Sequence, residues 1–440
     1  MIGQKLRATL IGSAKRSSLA QGVYSWAELS LGRFDRKFGR QFRAVEHFCK
    51  ASRRVDVDTP ARQKARMELR SFVCRNGHGN NSADVERDFL STRYAAALRA
   101  RFLPQPFPLN ITFRHNLMPL KAYNSRTGEK GVLILAFNYL FQAFQAIYRA
   151  RTLSQYYWMI FEPSYYRYED PAYALFQEWQ VLLQAGNPVI RSGIDAVGCS
   201  FHTVPLSSSD WTDSDMFCPL PDVRKIYDLI YVANWSENKQ HELLFQSLAK
   251  IRRRLRVALV GFRWERSRNE ILHLAKQYGV ADRCEIFEKV SPETVNLLLN
   301  QSQVNLLLSR FEAGNKALYE AMFAGLPSVV YRHCEGLDPC CINKQTGLLS
   351  DTDELCDAIL LALDQRERFK PRAWALEHTG YLRSTRIVND ALRRLSAGQH
   401  EPWETDITAK VNSPTFVYKN PEDAFRFVSV LHHLLQFVRT

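Results

Sequence analysis

The amino-acid sequence predicts an α/β protein of two Rossmann-like units, with a mainly helical, basic region at its N-terminal end. Three observations carry this expectation. From about residue 227 onward, short all-apolar runs alternate regularly with helical patterns of 10–15 residues. A weaker alternation of the same kind occupies 131–204. At 440 residues the chain exceeds one ordinary core, and two domains of roughly 200 residues are the default. Buried all-apolar strands separated by helices indicate parallel sheets covered on both faces, with right-handed crossovers.

Taken in order, 1–105 is the basic, mainly helical region, appended to or part of the next unit. Residues 1–70 hold sixteen Lys/Arg against six Asp/Glu, so most of the net charge of +14 sits there. Val23, Trp26, Leu29, Phe34, Phe38, Phe42, Val45 and Phe48 recur mostly every three or four residues. Arg33, Arg36, Lys37, Arg40 and Arg43 lie between them. That is an amphipathic basic helix. Through residues 20–50 it could lie on an anionic membrane surface, or pack its apolar stripe on the protein body. A nucleic-acid contact would use the same charge, but no aromatic-plus-basic binding motif accompanies it, and no nucleic acid is expected as a partner. A polar loop is expected at 77–82.

The first Rossmann-like unit, 106–222, offers strands at 131–138 and 156–161, helices at 139–151 and 174–185, and a β-like stretch at 189–204. A Ser-, Asp- and Pro-rich stretch at 207–221 reads as a linker. The second unit, 223–390, offers strands at 228–235, 257–261, 284–290, 304–309 and 327–331. Its helices are expected at 240–254, 268–278, 292–301, 315–324 and 353–363. The segment 391–440 reads as helical, ends in an apolar stripe at 423–437, and is expected to pack back on the first unit. No apolar run approaches the roughly 20 residues of a membrane span, and no signal-peptide pattern opens the chain. Nine scattered cysteines without paired metal-site spacing suggest reduced thiols in a cytoplasm.

In an open parallel sheet, ligands bind beyond the carboxyl ends of the strands, where helix N-termini present free N–H groups. In the second unit this selects Asn234, Trp235 and Lys239, then Phe262 and Arg263, then Glu288 and Lys289, then Ser309, Arg310 and Glu312. Lys239 and Lys316 each open a helix; with Arg263 on the same rim they suggest a phosphate pocket. Each alone is more often a solvated surface residue. Glu312 precedes the helix starting near Asn315, and Glu320 lies inside it among Ala321, Met322, Ala324 and Gly325. A carboxylate on so apolar a helix needs a partner, and ribose hydroxyls could donate to it. In the first unit, Asn138 and Glu162 end strands, and His115 and His202 could meet sugar hydroxyls; Glu162 ranks first among these as a catalytic candidate.

Residues 309–327, with Glu312 and Glu320 separated by seven positions, resemble the Glu-x7-Glu signature of retaining GT-B glycosyltransferases of the family 4 kind. Residues 228–239 (DLIYVANWSENK) resemble that family's first strand and diphosphate loop, 257–263 its second strand, and 279–287 its approach to the base-binding loop. Thr346-Gly-Leu-Leu-Ser350, followed by Asp353-Glu-Leu355, resembles its closing pattern. The resemblance spans most of 225–365. It implies the GT-B fold and sugar transfer with retention, from a nucleotide-sugar donor to a glycan or lipid-linked acceptor. It also implies no cofactor and no metal. With the reduced thiols and the basic helix at 20–50, the expectation is a cytoplasmic enzyme, peripheral at the inner membrane face if that helix binds lipid. By the same resemblance Glu312 contacts the donor sugar, Glu320 the ribose, and Lys239 the leaving diphosphate. Gly314 and Asn315 meet the distal phosphate through their backbone N–H groups. The chain departs from the pattern at Ala233-Asn234-Trp235, where the family carries Gly-Arg, and at Ala313, where it carries Gly. Arg263 or Lys316 would then replace the arginine. Those departures keep two alternatives open, a GT-B binding protein without catalysis and a nucleotide-sugar epimerase of the same architecture.

Overall fold

The computed structural model describes residues 18–53, 60–73, 82–102, 116–164, 170–176, 179–197, 201–312, 314–412 and 416–439. His115, Ala313 and residues 77–81 of the expected polar loop lie outside them. The described N-terminal region is helical: α1 (Ser18–Lys37), α2 (Gln41–Arg53), α3 (Pro60–Val73), α4 (Ser82–Ser91) and α5 (Arg93–Phe102). The single expected helix breaks at Gly39, which takes a left-handed φ of 74°, and α1 folds back on α2.

A five-stranded sheet follows, formed by β1 (Leu117–Lys121), β2 (Gly131–Ala136), β3 (Tyr157–Glu162), β4 (Val181–Gln184) and β5 (Phe201–Val204). They lie side by side in chain order, parallel except for the antiparallel edge strand β1. Helices α6 (Asn138–Ile147), α7 (Ala150–Leu153), α8 (Pro171–Ala174) and α9 (Pro188–Val197) connect them. A sheet whose strands follow one another in one direction with right-handed crossovers carries its connections on one face. Leu133, Met159 and Leu183 accordingly share a core with Phe141, Tyr173 and the N-terminal helices. The expectation of a helix over 174–185 is corrected: only Pro171–Ala174 is helical, Val181–Gln184 is a fully buried strand, and the next helix occupies part of the β-like stretch. Three apolar residues between turns carry no period, so helix and strand read alike there.

The second sheet contains β6 (Tyr227–Val232), β7 (Val257–Gly261), β8 (Cys284–Glu288), β9 (Ser302–Leu307), β10 (Ser328–Tyr331) and β11 (Gly347–Ser350), all parallel. Their spatial order, β11-β10-β9-β6-β7-β8, is the 3-2-1-4-5-6 order of a doubly wound sheet, with its reversal between β6 and β9. Helices α10 (His241–Lys250), α11 (Arg268–Gln277), α12 (Pro292–Asn300), α13 (Lys316–Phe323) and α14 (Leu355–Asp364) cover both faces.

After α15 (Pro371–His378), α16 (Tyr381–Gly398) returns to the first sheet. Val388 and Leu392 pack with Ile134, Trp158 and Ile160 on the face that the crossover helices leave open. The hairpin β12 (Lys410–Asn412) and β13 (Phe416–Tyr418) completes that layer. Beyond it, α17 (Asp423–Arg426) and α18 (Val428–Leu435) end the described chain, with Val430 and Leu434 in the other core. Among the described residues no helix is long and apolar enough to cross a membrane.

Candidate active site

The chain reversal between β6 and β9 opens a crevice, and the loops after these two strands build its floor. Asn238 staples them together: its side-chain amide donates to the Phe311 carbonyl at 2.9 Å and accepts from the Phe311 N–H at 3.0 Å. The Arg310 N–H donates to the Asn238 carbonyl at 3.0 Å. Tyr231 donates its hydroxyl to the Lys239 carbonyl, and Gln240 donates to that of Leu308. This framework sets the Lys239 ammonium against the Glu312 carboxylate, both nearly buried, as an ion pair. Beside it His241 is buried, with Nδ1 unpartnered. Burial holds its imidazole down to about 3, and Arg266 and Lys239 push the same way.

Asn315 caps α13, accepting the Leu318 N–H at 2.9 Å. Lys316 and Glu320 then follow on successive turns, both lining a cavity of about 410 Å³ together with Asn234, Lys239, Glu312, Gly314 and Asn315. That volume suits a ligand the size of a nucleotide. Desolvation raises the Glu320 carboxyl above the ordinary carboxylate range, and the Lys316 ammonium pulls it back. Phe262, Val290, Pro292 and Val295 form an apolar wall, and Phe217 and Ser208 reach in from the linker region. Gly314 has φ +151°, and a Cβ there would stand 3.0 Å from the side chains of Ser207 and Ser209. The two units therefore touch at this glycine. On its other side lies a second, more polar cavity of about 450 Å³ between the units, lined by Arg191, Asp210, Tyr319, Asp338 and Arg383.

The structure thus brings Asn234, Lys239, Glu312, Gly314, Asn315, Lys316 and Glu320 to one cavity. Arg263 and Glu288 are exposed and do not line it; their neighbours Phe262 and Lys289 do. Glu162 sits at the end of β3, but its carboxylate is committed. Lys410 Nζ lies 3.1 Å from one oxygen, and Asn412 donates to the other at 3.0 Å and to the Ser208 carbonyl at 2.8 Å. Burial lowers the Lys410 ammonium to about 8, with Glu162 pulling it up. Asn138 accepts from both the N–H and the hydroxyl of Ser164, and His202 is exposed on β5. Asn238, Phe217 and Ser208 escaped the sequence reading. A stapling Asn in a turn and contacts across the linker leave no local pattern.

Residues 222–374, the sheet that carries this cavity, match the family described as glycosyl transferases group 1. This domain and the first unit face one another as in the GT-B fold. A sucrose-phosphate synthase from Thermosynechococcus elongatus superposes with a TM-score of 0.50 at 18% identity, over 61% of this chain and 74% of that one. The Anabaena protein HepE, solved in complex with UDP, gives 0.49 at 13% identity, over 60% and 78%. No curated protein sequence matches the chain.

Proposed function

We propose that the protein transfers a sugar, with retention, from a nucleotide-sugar to a saccharide or lipid-linked acceptor in the cleft between its two units. The observation that carries this reading is the single cavity at the sheet's reversal that gathers three lysines, two glutamates and the N-terminus of α13. Lys239 and Glu312 neutralise one another as an ion pair. A donor would exchange that pair, the diphosphate taking Lys239 and the sugar hydroxyls taking Glu312. Lys316 and the N–H groups at the start of α13 would meet the distal phosphate, where charge develops as the bond to the sugar breaks. Glu320 would accept from the ribose hydroxyls, and Phe262 would offer its half-exposed ring to the base. No metal is required in this scheme, because fixed cations and backbone dipoles receive the leaving charge. In this reading the enzyme works in the cytoplasm.

Thermal unfolding against a panel of UDP-, GDP- and ADP-sugars tests this. One nucleotide series should raise the midpoint, since a ligand at a hundred times its Kd stabilises by about 2.7 kcal/mol. Lys239→Ala and Glu320→Ala should abolish the rise. No rise with any donor, or a rise that both variants keep, would reject the site. Conversion of the donor to an epimer without acceptor would replace transfer by epimerisation.

A further inference from the structure

Helix α1 is inside out. Val23, Trp26, Leu31, Phe34 and, just past its end, Phe38 are between 42% and 65% exposed. The opposite face buries Ser25, Glu28, Gly32 and Asp35 against α2, where His47 lies 2.6 Å from the Glu28 carboxylate and 3.3 Å from that of Asp35. A surface helix of a soluble domain does the reverse, turning carboxylates to water and aromatics to the core. Nor does folding require these outward side chains, because Leu29, Phe42, Val45 and Phe48 already anchor the pair in the core.

Cations frame the exposed face. The Arg40 guanidinium lies 5.3 Å from the Phe34 ring and 5.9 Å from that of Phe38. The Lys64 ammonium lies 5.0 Å from Trp26, and Arg33 and Lys37 are exposed on α1 itself. We infer that α1 lies in the headgroup region of an anionic lipid bilayer, its aromatic face towards the acyl chains and its cations among the phosphates. A second copy of this chain fits badly, since a symmetric contact would set these cations against their own counterparts. A nucleic acid would use the rings and cations, but Val23 and Leu31 provide no stacking platform.

Sedimentation of the full chain tests this with vesicles of equimolar phosphatidylglycerol and phosphatidylcholine, against phosphatidylcholine alone. The chain should sediment with the anionic vesicles only, and high salt should release part of it. The double variant Phe34→Ser/Phe38→Ser should partition at least about tenfold more weakly, with its unfolding midpoint unchanged because both rings are exposed. Lys37→Gln should lose about fivefold. Nucleotide-sugar stabilisation should survive all three substitutions, which separates failure here from failure of the donor site. The inference is overturned by equal recovery in the supernatant with both vesicle types or by sedimentation that the Phe variant keeps. A dimer or single-stranded oligonucleotide binding that the Phe variant abolishes, without vesicle binding, would also overturn it.

Discussion

Glu320 and His241 show how burial sets chemistry at single residues. If Glu320 accepts from ribose hydroxyls, it must do so as a carboxylate, yet desolvation favours its protonated form. Donor affinity should therefore fall on acidification while the pH is still above the ordinary carboxylate range. Calorimetric titration of the nucleotide across that window should show the slope, and Glu320→Gln should flatten it while binding more weakly throughout. His241 acts on stability instead. Its folded value of about 3 lies below the ordinary 6.5, so between these values the unfolded chain binds the proton that the folded chain refuses. Stability is then full above about 6.5 and declines as pH falls towards 3, by up to about 1.4 kcal/mol per pH unit. His241→Phe keeps the ring volume beside Tyr231 and should remove that part of the acid sensitivity, read from urea unfolding at pH 7 and pH 4. A variant with the same slope as the parent would exclude His241 as its source.

At the scale of elements, the second sheet was the most legible part of the chain. Its strands are buried on both faces, so they appear as unbroken apolar runs, and the helices between them have lengths that leave few alternatives. Lys239, Glu312 and Lys316 could be nominated because topology carries strand ends and helix starts to one rim, and Glu320 because a carboxylate on an apolar helix needs a partner. The choice between neighbours could not be read in the same way. In extended chain adjacent side chains point to opposite sides, so where β7 ends decides whether Phe262 or Arg263 meets the cavity; past β8 it is the left-handed backbone of Lys289, φ 52°, that sets the choice between it and Glu288. Elements whose cover comes from afar were opaque too. The Val181–Gln184 strand takes its character from partners that no local pattern records. Gly261 makes the same point within one element. A Cβ there would stand 2.2 Å from the Ala233 carbonyl oxygen and 2.7 Å from Trp235 Nε1, so the ends of β6 and β7 can approach only over a glycine. Gly261→Ala should destabilise by about 1–3 kcal/mol and weaken nucleotide-sugar binding, because the displaced strand ends are the cavity wall. Gly398→Ala, with nothing within 4 Å of the added carbon, is the matching control and should be near neutral in the same unfolding assay.

For the whole molecule, the question is how a chain that leaves the first unit at residue 206 comes back to complete it. The sequential strand order exposes one face of the first sheet, and among the described residues Trp211 and the segment beyond Tyr381 cover it. Two buried ion pairs fasten that return. Lys121 pairs with Glu129, whose carboxylate also accepts the Glu404 and Thr405 N–H groups. Lys410 pairs with Glu162 at the end of β3. The second cluster continues through Asn412 to the Ser208 carbonyl, and Ser208 borders the donor cavity beside the Gly314 seam. Breaking it should therefore reach both stability and the cleft. Lys410→Met leaves the Glu162 carboxylate buried without its counter-ion and should cost about 3–5 kcal/mol. The double variant Lys410→Met/Glu162→Leu removes both charges and should recover most of that loss, although Asn412 then keeps only its Ser208 bond. A double-mutant cycle by urea unfolding measures the difference. If Lys410→Met alone costs no more than the double variant, the pair does not fasten the C-terminal segment. If the cycle shows coupling and nucleotide-sugar stabilisation falls in Lys410→Met but returns in the double variant, the C-terminal segment holds the two units in register for the donor.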